Sequence, residues 1–350
     1  MRMARLLALA TLVAMVGLSA CGSSSGPSSN AASTTTSITS TSTTVPGPTT
    51  TMVLDDIPYY ANGTTLDAFL PDPRPARPIP AVVLVHGGGW VGGERGEWAP
   101  WANRLVLEQG WAAFSIDYVL VATTPQPWPG EFHDVQAAIR FVAANAAAFG
   151  IDPQRIAVLG ESAGGNLTAL ISSLGTGRPV TGSPVGTAGV GQQVPGRTVR
   201  GAALTYPSPT LEVPVVAVGL WSAPTELAPL APPAPGQPAP GCGTNAACEF
   251  AWDDGDVVRY LGCRPSACPA KYAETSPLDQ VSASTVPSFV SNATDELIPV
   301  AQAIDYAAAL KAAGVPHQLK IVPGNLHALQ TADAVWDDTI AFLARYLDRR

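Results

Sequence analysis

A run of five apolar residues, Ala81–Val85, constrains the fold more than any other feature, because a strand that is apolar at every position must be buried on both faces. Similar runs recur along the chain and alternate with segments of helical periodicity. Such alternation predicts a mostly parallel sheet with helices on both faces. Further strands are predicted at Trp111–Ile116, Arg155–Leu159, Gly201–Thr205, Ser288–Ser291 and Gln318–Val322, and helices at Asp134–Phe149, Asn166–Ser173, Pro299–Ala313 and Ala334–Tyr346.

The N-terminal residues 1–20 have the pattern of an export signal. Arg2 and Arg5 precede the apolar stretch Leu6–Val16, which is too short to serve as a stable membrane span. The sequence Leu18-Ser19-Ala20-Cys21 resembles the lipobox of bacterial lipoproteins, in which the cysteine is lipidated. An ordinary signal peptide cut after Ala20 is the alternative, but it would place Leu18 where small residues are preferred. We therefore expect an exported protein, either anchored by Cys21 on the outer side of the cytoplasmic membrane or secreted.

Composition divides the rest of the chain into a tether and one large domain. Residues 21–51 are dominated by Ser, Thr, Gly, Pro and Ala, a composition that cannot bury enough surface to fold. The domain is expected to cover residues 52–350. Within it, residues 207–272 include the proline-rich run 229–240 and four cysteines, and we interpret them as an inserted lid beside the active site.

The cysteines of this segment predict disulfides. An even number of cysteines in an exported protein favours disulfide bonds, and their spacing fits a zinc site poorly, with no histidine nearby. We expect two local pairs, although sequence alone leaves three connectivities open. The residues concerned are Cys242 with Cys248 and Cys263 with Cys268.

The net charge of −8 excludes one class of partner. The chain has 27 acidic and 19 basic residues, and no basic run that could attract a phosphate backbone, so we expect no nucleic-acid partner. Asp253, Asp254 and Asp256 are read as a solvated acidic face, with calcium binding as the alternative.

Gly160-Glu161-Ser162-Ala163-Gly164 fits the pattern G-x-S-x-G. The motif is weak alone, but here it follows a predicted strand and begins a predicted helix, which is the context of a nucleophile elbow. There the small flanking residues permit a tight turn that exposes the serine hydroxyl. A glycine-rich turn that merely caps a helix is the structural alternative. We predict that Ser162 is a nucleophile.

A glycine run, His86-Gly87-Gly88-Gly89-Trp90, follows the strand Ala81–Val85. Its backbone N–H groups could approach an oxyanion closely. We predict an oxyanion hole made by Gly88, Gly89 and Ala163, with Gly87 as an alternative to one of the glycines. His86 is expected to form a hydrogen bond that shapes the loop.

The base and the acid must follow Ser162 in the chain order of this motif. His327 lies in a loop after the last strand, whereas His317 begins that strand, so His327 is the predicted base. His133 is expected at the surface. For the acid we predict Asp295, which begins the pattern Asp-x-x-x-Pro after a strand, with Glu296 as the weaker candidate. A loop-stabilising turn is the alternative role of Asp295.

Together these motifs resemble the α/β-hydrolase esterases of the hormone-sensitive-lipase and carbohydrate-esterase-like type. The resemblance rests on the residues above and on Asp134, Gly150-Ile-Asp-Pro153, Gly165 and Asp295-Glu-Leu-Ile-Pro299, and runs from about residue 58 to the C-terminus outside the insertions. It implies an α/β-hydrolase fold, ester hydrolysis through an acyl-enzyme, and neither metal nor organic cofactor. The expected substrate is a small-molecule, carbohydrate or lipid ester, since a lipid anchor outside the cell suits acylated carbohydrates, cell-wall esters or short-chain lipid esters. Asp134 is read as structural support. The family often has Tyr-Arg where this chain has Tyr118-Val119, which would remove a buried ion pair.

Two other functions remain open at this point. An amidase, formamidase or peptidase would use the same groups on a different carbonyl. A non-catalytic interaction domain would keep the fold alone, but such domains typically lose the serine or the histidine, and this chain has both.

Overall fold

The computed structural model describes residues 48–60, 62–121, 128–177, 190–231 and 255–349. Its centre is an eight-stranded sheet in the order β1-β2-β4-β3-β5-β8-β9-β10. The strands are β1 (Thr50–Pro58), β2 (Thr65–Asp72), β3 (Ile79–Val85), β4 (Ala112–Ile116), β5 (Ile151–Glu161), β8 (Val215–Trp221), β9 (Ser288–Ala293) and β10 (His317–Val322). Within this sheet, only the pairings of β2 with β1 and with β4 are antiparallel, so the predicted mostly parallel sheet is confirmed.

Helices cover both faces of this sheet, because its inner strands are buried on both sides. One face carries α2 (Gly130–Ala144), α4 (Ser162–Leu174) and α8 (Val300–Ala312), and its core includes Phe132, Leu167 and Tyr306. The other face carries α1 (Ala99–Arg104) and α9 (Ala332–Leu347), where Trp98, Trp221 and Trp336 pack together. There are four short α-helices: α3 (Ala146–Phe149), α5 (Asp256–Leu261), α6 (Pro269–Thr275) and α7 (Pro277–Gln280). A π-helix covers Leu105–Gln109, and 3-10 helices cover Arg95–Trp98, Ala228–Leu230 and Ala328–Thr331.

One strand of the central sheet lies where the sequence was read as insertion. Residues 207–272 were expected to form a lid throughout, yet Val215–Trp221 is β8, paired with β5 and β9 in the middle of the sheet. The prediction was wrong because proline-rich stretches on both sides concealed a buried strand. Gly201–Thr205 is confirmed as a strand, but not as part of the central sheet. Its Ala202–Thr205 forms β7, which pairs only with β6 (Gln193–Val199) in a separate two-stranded sheet.

The predicted start of the domain can be compared with the structure. The first strand begins at Thr50, two residues before the expected start at Met52, so the end of the predicted tether belongs to the sheet.

Cys263 and Cys268 form the expected disulfide. Cys242, Cys248 and the lipobox cysteine Cys21 lie outside the described residues. Within the described ranges, none of the helices has the length and apolarity needed to span a membrane.

Candidate active site

The nucleophile elbow lies at the carboxyl end of the central strand β5, where α4 begins directly with Ser162. Ser162 has a φ of 51°, in the left-handed region that non-glycine residues rarely adopt. Gly160 and Gly164 make the turn possible. A Cβ on Gly164 would come within 2.3 Å of the carbonyl oxygens of His86 and Val85, and one on Gly160 within 2.3 Å of the carbonyl oxygen of Gly164. The motif is glycine-rich because α4 begins in contact with the neighbouring backbone.

His327 reaches this serine from the loop after β10. Its Nε2 lies 2.9 Å from Ser162 Oγ, which is hydrogen-bond distance. Its backbone N–H donates to Gln330 Oε1 at 3.0 Å, which helps to fix the turn in which the imidazole is held. His317 is elsewhere, with Nδ1 2.9 Å from the carbonyl oxygen of Val315. The structure therefore brings together the predicted nucleophile and the predicted base.

The carboxylate behind the imidazole is Glu296, and our choice of Asp295 was wrong. Nδ1 of His327 forms a short hydrogen bond with Glu296 Oε2. The Glu296 side chain is fully buried, whereas Asp295 is exposed, and its backbone N–H donates to the carbonyl oxygen of Gly324 at 2.9 Å. Successive residues of this loop point in different directions, and only the second points at the imidazole. With Nδ1 donating to a carboxylate, Nε2 is left to accept the serine proton.

Ser222, which the sequence did not indicate, holds that carboxylate in place. It follows β8 directly, and its hydroxyl donates to Glu296 Oε1 at 2.7 Å. The same oxygen accepts the N–H of Ala293 at 2.9 Å. Ser222 Oγ also accepts the N–H of Ala328 at 2.9 Å, which links the acid to the loop of the base. Assigning β8 to the insertion concealed this residue, since its only signal is its place at a strand end.

The glycine loop after β3 lies beside the serine, and Glu161 fixes its start. The N–H of Gly87 forms a short hydrogen bond with Glu161 Oε1, so Gly87 cannot donate to an oxyanion in this arrangement. Gly88 and Gly89 both have positive φ and line the cavity at Ser162, as does Ala163. His86 is buried, and its Nδ1 lies 2.8 Å from the carbonyl oxygen of Gly87, as predicted for a residue that shapes the loop.

The pKa of Glu161 is raised to about 7, chiefly by burial and in part by the nearby carboxylates Glu97 and Glu296. The imidazole of His327 and the N–H of Gly87 act in the opposite direction. The glycine loop is therefore attached to a carboxyl group that titrates near neutral pH.

A cavity of about 440 Å³ opens over these groups, and apolar side chains such as Leu230, Val257, Leu297 and Ile298 form much of its wall. Val257 comes from α5, so the described end of the predicted lid reaches this cavity. Asp256 also lines it. The reading of Asp256 as part of a solvated acidic face is thus corrected, while Asp253 and Asp254 lie outside the described residues. The size and lining suit a small, mostly apolar molecule.

Two of the sequence predictions, those for His133 and Asp134, concern residues of α2. His133 was expected at the surface but is buried, and burial together with the charge of Arg140 lowers its pKa to about 4. Asp134 acts as the expected structural support. Its carboxylate accepts the N–H of Val119 at 2.9 Å and the amide of Asn62 at 2.8 Å.

The sequence made no prediction for two further ionisable side chains of this region, Arg95 and Glu131. Arg95 pairs with Asp67 at 2.8 Å and also with Asp117. Glu131 at the start of α2 is fully buried, and burial raises its pKa to about 9.

The sequence predicts no metal site, with zinc at the late cysteines and calcium at the clustered aspartates as the alternatives. In the ranges that the structure describes, no three His, Cys, Asp or Glu residues are grouped as metal ligands.

Comparison with known proteins identifies relatives of this chain. Esterase LipQ of Mycobacterium tuberculosis is 38% identical over 133 residues, which are 36% of this chain and 31% of that protein. Carboxylesterase NlhH of the same organism is 42% identical over 96 residues, 27% of this chain and 30% of that protein. The chain thus spans about a third of the length of these relatives.

A solved structure and a family model cover more of the chain. A truncated carbohydrate esterase from gut microbiota superposes with a TM-score of 0.66 at 21% identity, over 87% of this chain and all of that one, which shows the fold. The model of the BD-FAE family matches residues 66–310, a range that includes the glycine loop, the elbow and the acid. The chain belongs to the BD-FAE family and has the α/β-hydrolase fold of esterases.

Proposed function

We propose that this protein hydrolyses carboxylic esters, with Ser162 as nucleophile, His327 as base and Glu296 as the acid that orients the base. The observation that carries the proposal is the continuous hydrogen-bonded chain from Ser162 Oγ through the imidazole to Glu296. That chain is what converts a weakly nucleophilic hydroxyl into a reactive one. The names of the relatives LipQ and NlhH support esters as the substrate class.

The reaction follows from this geometry in two steps. Ser162 Oγ attacks the ester carbonyl carbon while His327 Nε2 takes its proton, and the tetrahedral intermediate collapses by releasing the alcohol, which leaves with that proton. Water then attacks the acyl-serine, again giving a proton to His327, and the carboxylic acid departs as Ser162 recovers its proton. Glu296 stabilises the imidazolium in both steps.

The negative charge of each tetrahedral intermediate needs donors that are already in place. We assign this role to the backbone N–H groups of Gly88, Gly89 and Ala163, all of which line the cavity at Ser162. Gly87 is excluded because its N–H is bound to Glu161. The first N–H groups of α4 have no partner within the helix, and the helix dipole adds a partial positive charge at Ala163.

Replacing the two reacting side chains tests the proposal. Ser162→Ala and His327→Ala should each lower kcat for p-nitrophenyl acetate by several powers of ten, because members of a triad act as a unit. His317→Ala is the matched control and should retain activity, since this histidine is bound elsewhere. A fluorophosphonate should label the wild type at Ser162. Unimpaired turnover by Ser162→Ala would contradict the mechanism, and cleavage of p-nitroanilides in preference to esters would favour an amidase.

The place of action is proposed from sequence alone. We propose that the signal segment 1–20 directs export and that lipidated Cys21 anchors the domain to the membrane. Each buried CH₂ of an acyl chain contributes about 0.8 kcal/mol, and stable anchoring needs two signals, such as two chains. Cys21→Ala should move the exported enzyme from the membrane fraction to the medium. A wild-type protein recovered from the medium with an unmodified Cys21 would contradict this part of the proposal.

A further inference from the structure

Among the described residues that line the cavity, all the aspartate, glutamate, lysine and arginine side chains have the same sign of charge. Of the described residues that line it, Glu97, Glu161 and Asp256 are acidic, and no lysine or arginine is among them. Glu296 adds a fourth carboxylate directly behind His327. Carboxylates so arranged attract a cation and repel an anion, and the apolar wall strengthens the effect because it excludes water.

Asp256 is the carboxylate whose position is best defined. It begins α5, and one turn later Tyr260 stacks on Trp90 with ring centroids 4.3 Å apart and planes 4° from parallel. Both aromatic residues are buried, so the stack fixes the helix against the glycine loop. As a result, Asp256 Oδ2 lies 2.7 Å from where a Cβ of Gly89 would be. The carboxylate is thus placed at the rim of the proposed oxyanion hole.

A competing cation is present but lies outside the cavity. The Arg259 guanidinium is 3.4 Å from Asp256 Oδ1, one turn further along α5. Half of the Arg259 side chain is exposed, and Arg259 does not line the cavity. Exposed pairs of this kind contribute little to stability, so a substrate cation can compete for Asp256.

A positive charge in the cavity would also stabilise the ionised forms of Glu97 and Glu161. Burial raises the pKa of Glu161 and of Glu97, and each has another carboxylate close by that raises it further. An ammonium group among these carboxylates would offset that repulsion and stabilise their ionised forms. A carboxylate or phosphate on the substrate would increase the repulsion.

We infer that the preferred substrates are esters that carry an ammonium group together with an apolar body, and that Asp256 is the residue that selects them. The inference rests on the proposed ester hydrolysis and names the substrate class of that site. The ammonium group lies near Asp256 while the apolar part contacts Val257, Leu297 and Ile298, and the ester carbonyl faces Ser162.

Two esters of nearly identical shape provide the test. Acetylcholine and 3,3-dimethylbutyl acetate differ in having a quaternary nitrogen or a quaternary carbon, so the ratio of their kcat/KM values isolates the effect of charge. We expect the wild type to favour acetylcholine about tenfold, the ratio that about 1.4 kcal/mol provides. Raising the ionic strength from about 0.01 to about 1 M should reduce that ratio, because the Debye length falls from about 30 to about 3 Å.

Three variants assign the preference to its residue. Asp256→Asn should bring the ratio to within about threefold of unity, because it removes the charge of the side chain and keeps its size. Arg259→Gln should raise the ratio, because it removes the competing guanidinium. The control Asp337→Asn makes the same change in net charge at an exposed position of α9, and it should leave the ratio unchanged.

Binding measurements separate this inference from the proposed chemistry. Ser162→Ala protein should bind acetylcholine more tightly than 3,3-dimethylbutyl acetate in calorimetry, and Asp256→Asn added to it should abolish the difference. If neither ester is turned over by the wild type but the binding difference appears, ester hydrolysis is wrong and the cation site stands. Equal binding of the two esters, or equal ratios in wild type and Asp256→Asn, would overturn the inference.

Discussion

The two halves of the candidate active site are built in different ways. The elbow of β5 and α4 is local, since five consecutive residues place Ser162 and leave no room for larger side chains at Gly160 and Gly164. The acid–base half is assembled from the ends of three strands that are far apart in sequence. Ser222 follows β8, Glu296 follows β9 and His327 follows β10, and hydrogen bonds between side chains hold them together.

The difference concerns what fixes each half. Steric contact with the backbone defines the elbow, so a change there disturbs the fold before it disturbs the chemistry. The acid–base half depends on charge and hydrogen bonding, so a change there should alter the chemistry and leave the sheet intact. Variants that separate activity from stability can test this contrast.

The largest expected effect is on the acid. Glu296→Gln should lower kcat by a factor on the order of 10⁴, because the imidazole loses the carboxylate that sets its tautomer. Asp295→Asn is the matched control at the neighbouring residue and should change kcat by less than about threefold, as an exposed substitution does. Steady-state kinetics on one ester decides between them. A greater loss for Asp295→Asn would restore the acid that the sequence favoured.

A smaller effect, mainly on stability, is expected at the elbow. Gly164→Ala should reduce the free energy of unfolding by about 3 kcal/mol or more, because the added methyl group meets two carbonyl oxygens at 2.3 Å. In Gly92→Ala the nearest atom would be 3.9 Å away, so this control should have close to wild-type stability. Denaturant titration measures both. If Gly164→Ala were as stable as Gly92→Ala, steric definition of the elbow would be wrong.

The smallest effect concerns Ser222. Ser222→Ala removes one hydrogen bond to the carboxylate and one from the loop of the base, and should lower kcat about tenfold with little change in KM, since a hydrogen bond to a charged group contributes about 1.5–3 kcal/mol. Ser291→Ala is the control, because this serine is equally buried on β9 and its hydroxyl has no partner within the described residues. Equal kcat values for the two variants would show that Ser222 does not position the acid.

The same contrast explains what could be predicted from the sequence. The fold class, Ser162 and the glycine loop were accessible because each depends on a few consecutive residues whose types are physically restricted. His327 was accessible because the motif fixes chain order and few histidines are available. The choice between Asp295 and Glu296 was not, since it depends on which way each side chain of one loop points.

Long-range pairing accounts for the other errors. β8 is a run of apolar residues like β3, but its place between β5 and β9 is visible only once the sheet is assembled. Missing it concealed Ser222. The short run at Gly201–Thr205 looked like a core strand, yet Ala202 and Ala203 are exposed, because no neighbour of the central sheet covers them. Apolar composition indicates a strand but does not identify its partners.

The free energy of unfolding depends on pH through three buried acids, Glu131, Asp134 and Glu161. Burial raises their pKa values to about 9, about 7 and about 7, above the ordinary 4.5 of glutamate and 3.8 of aspartate. Between its ordinary and its raised pKa each group holds a proton in the folded protein that the unfolded chain has released, so folding takes up protons and the free energy of unfolding falls as pH rises.

From pH 7 to 9 Glu131 contributes the largest share of this decline, by up to about 1.4 kcal/mol per pH unit. Glu131→Gln should flatten the decline of Tm over that range, and an unchanged slope would show that Glu131 ionises normally in the fold. These three buried acids favour the folded state most in mildly acidic surroundings, where the protons that they take up on folding are abundant.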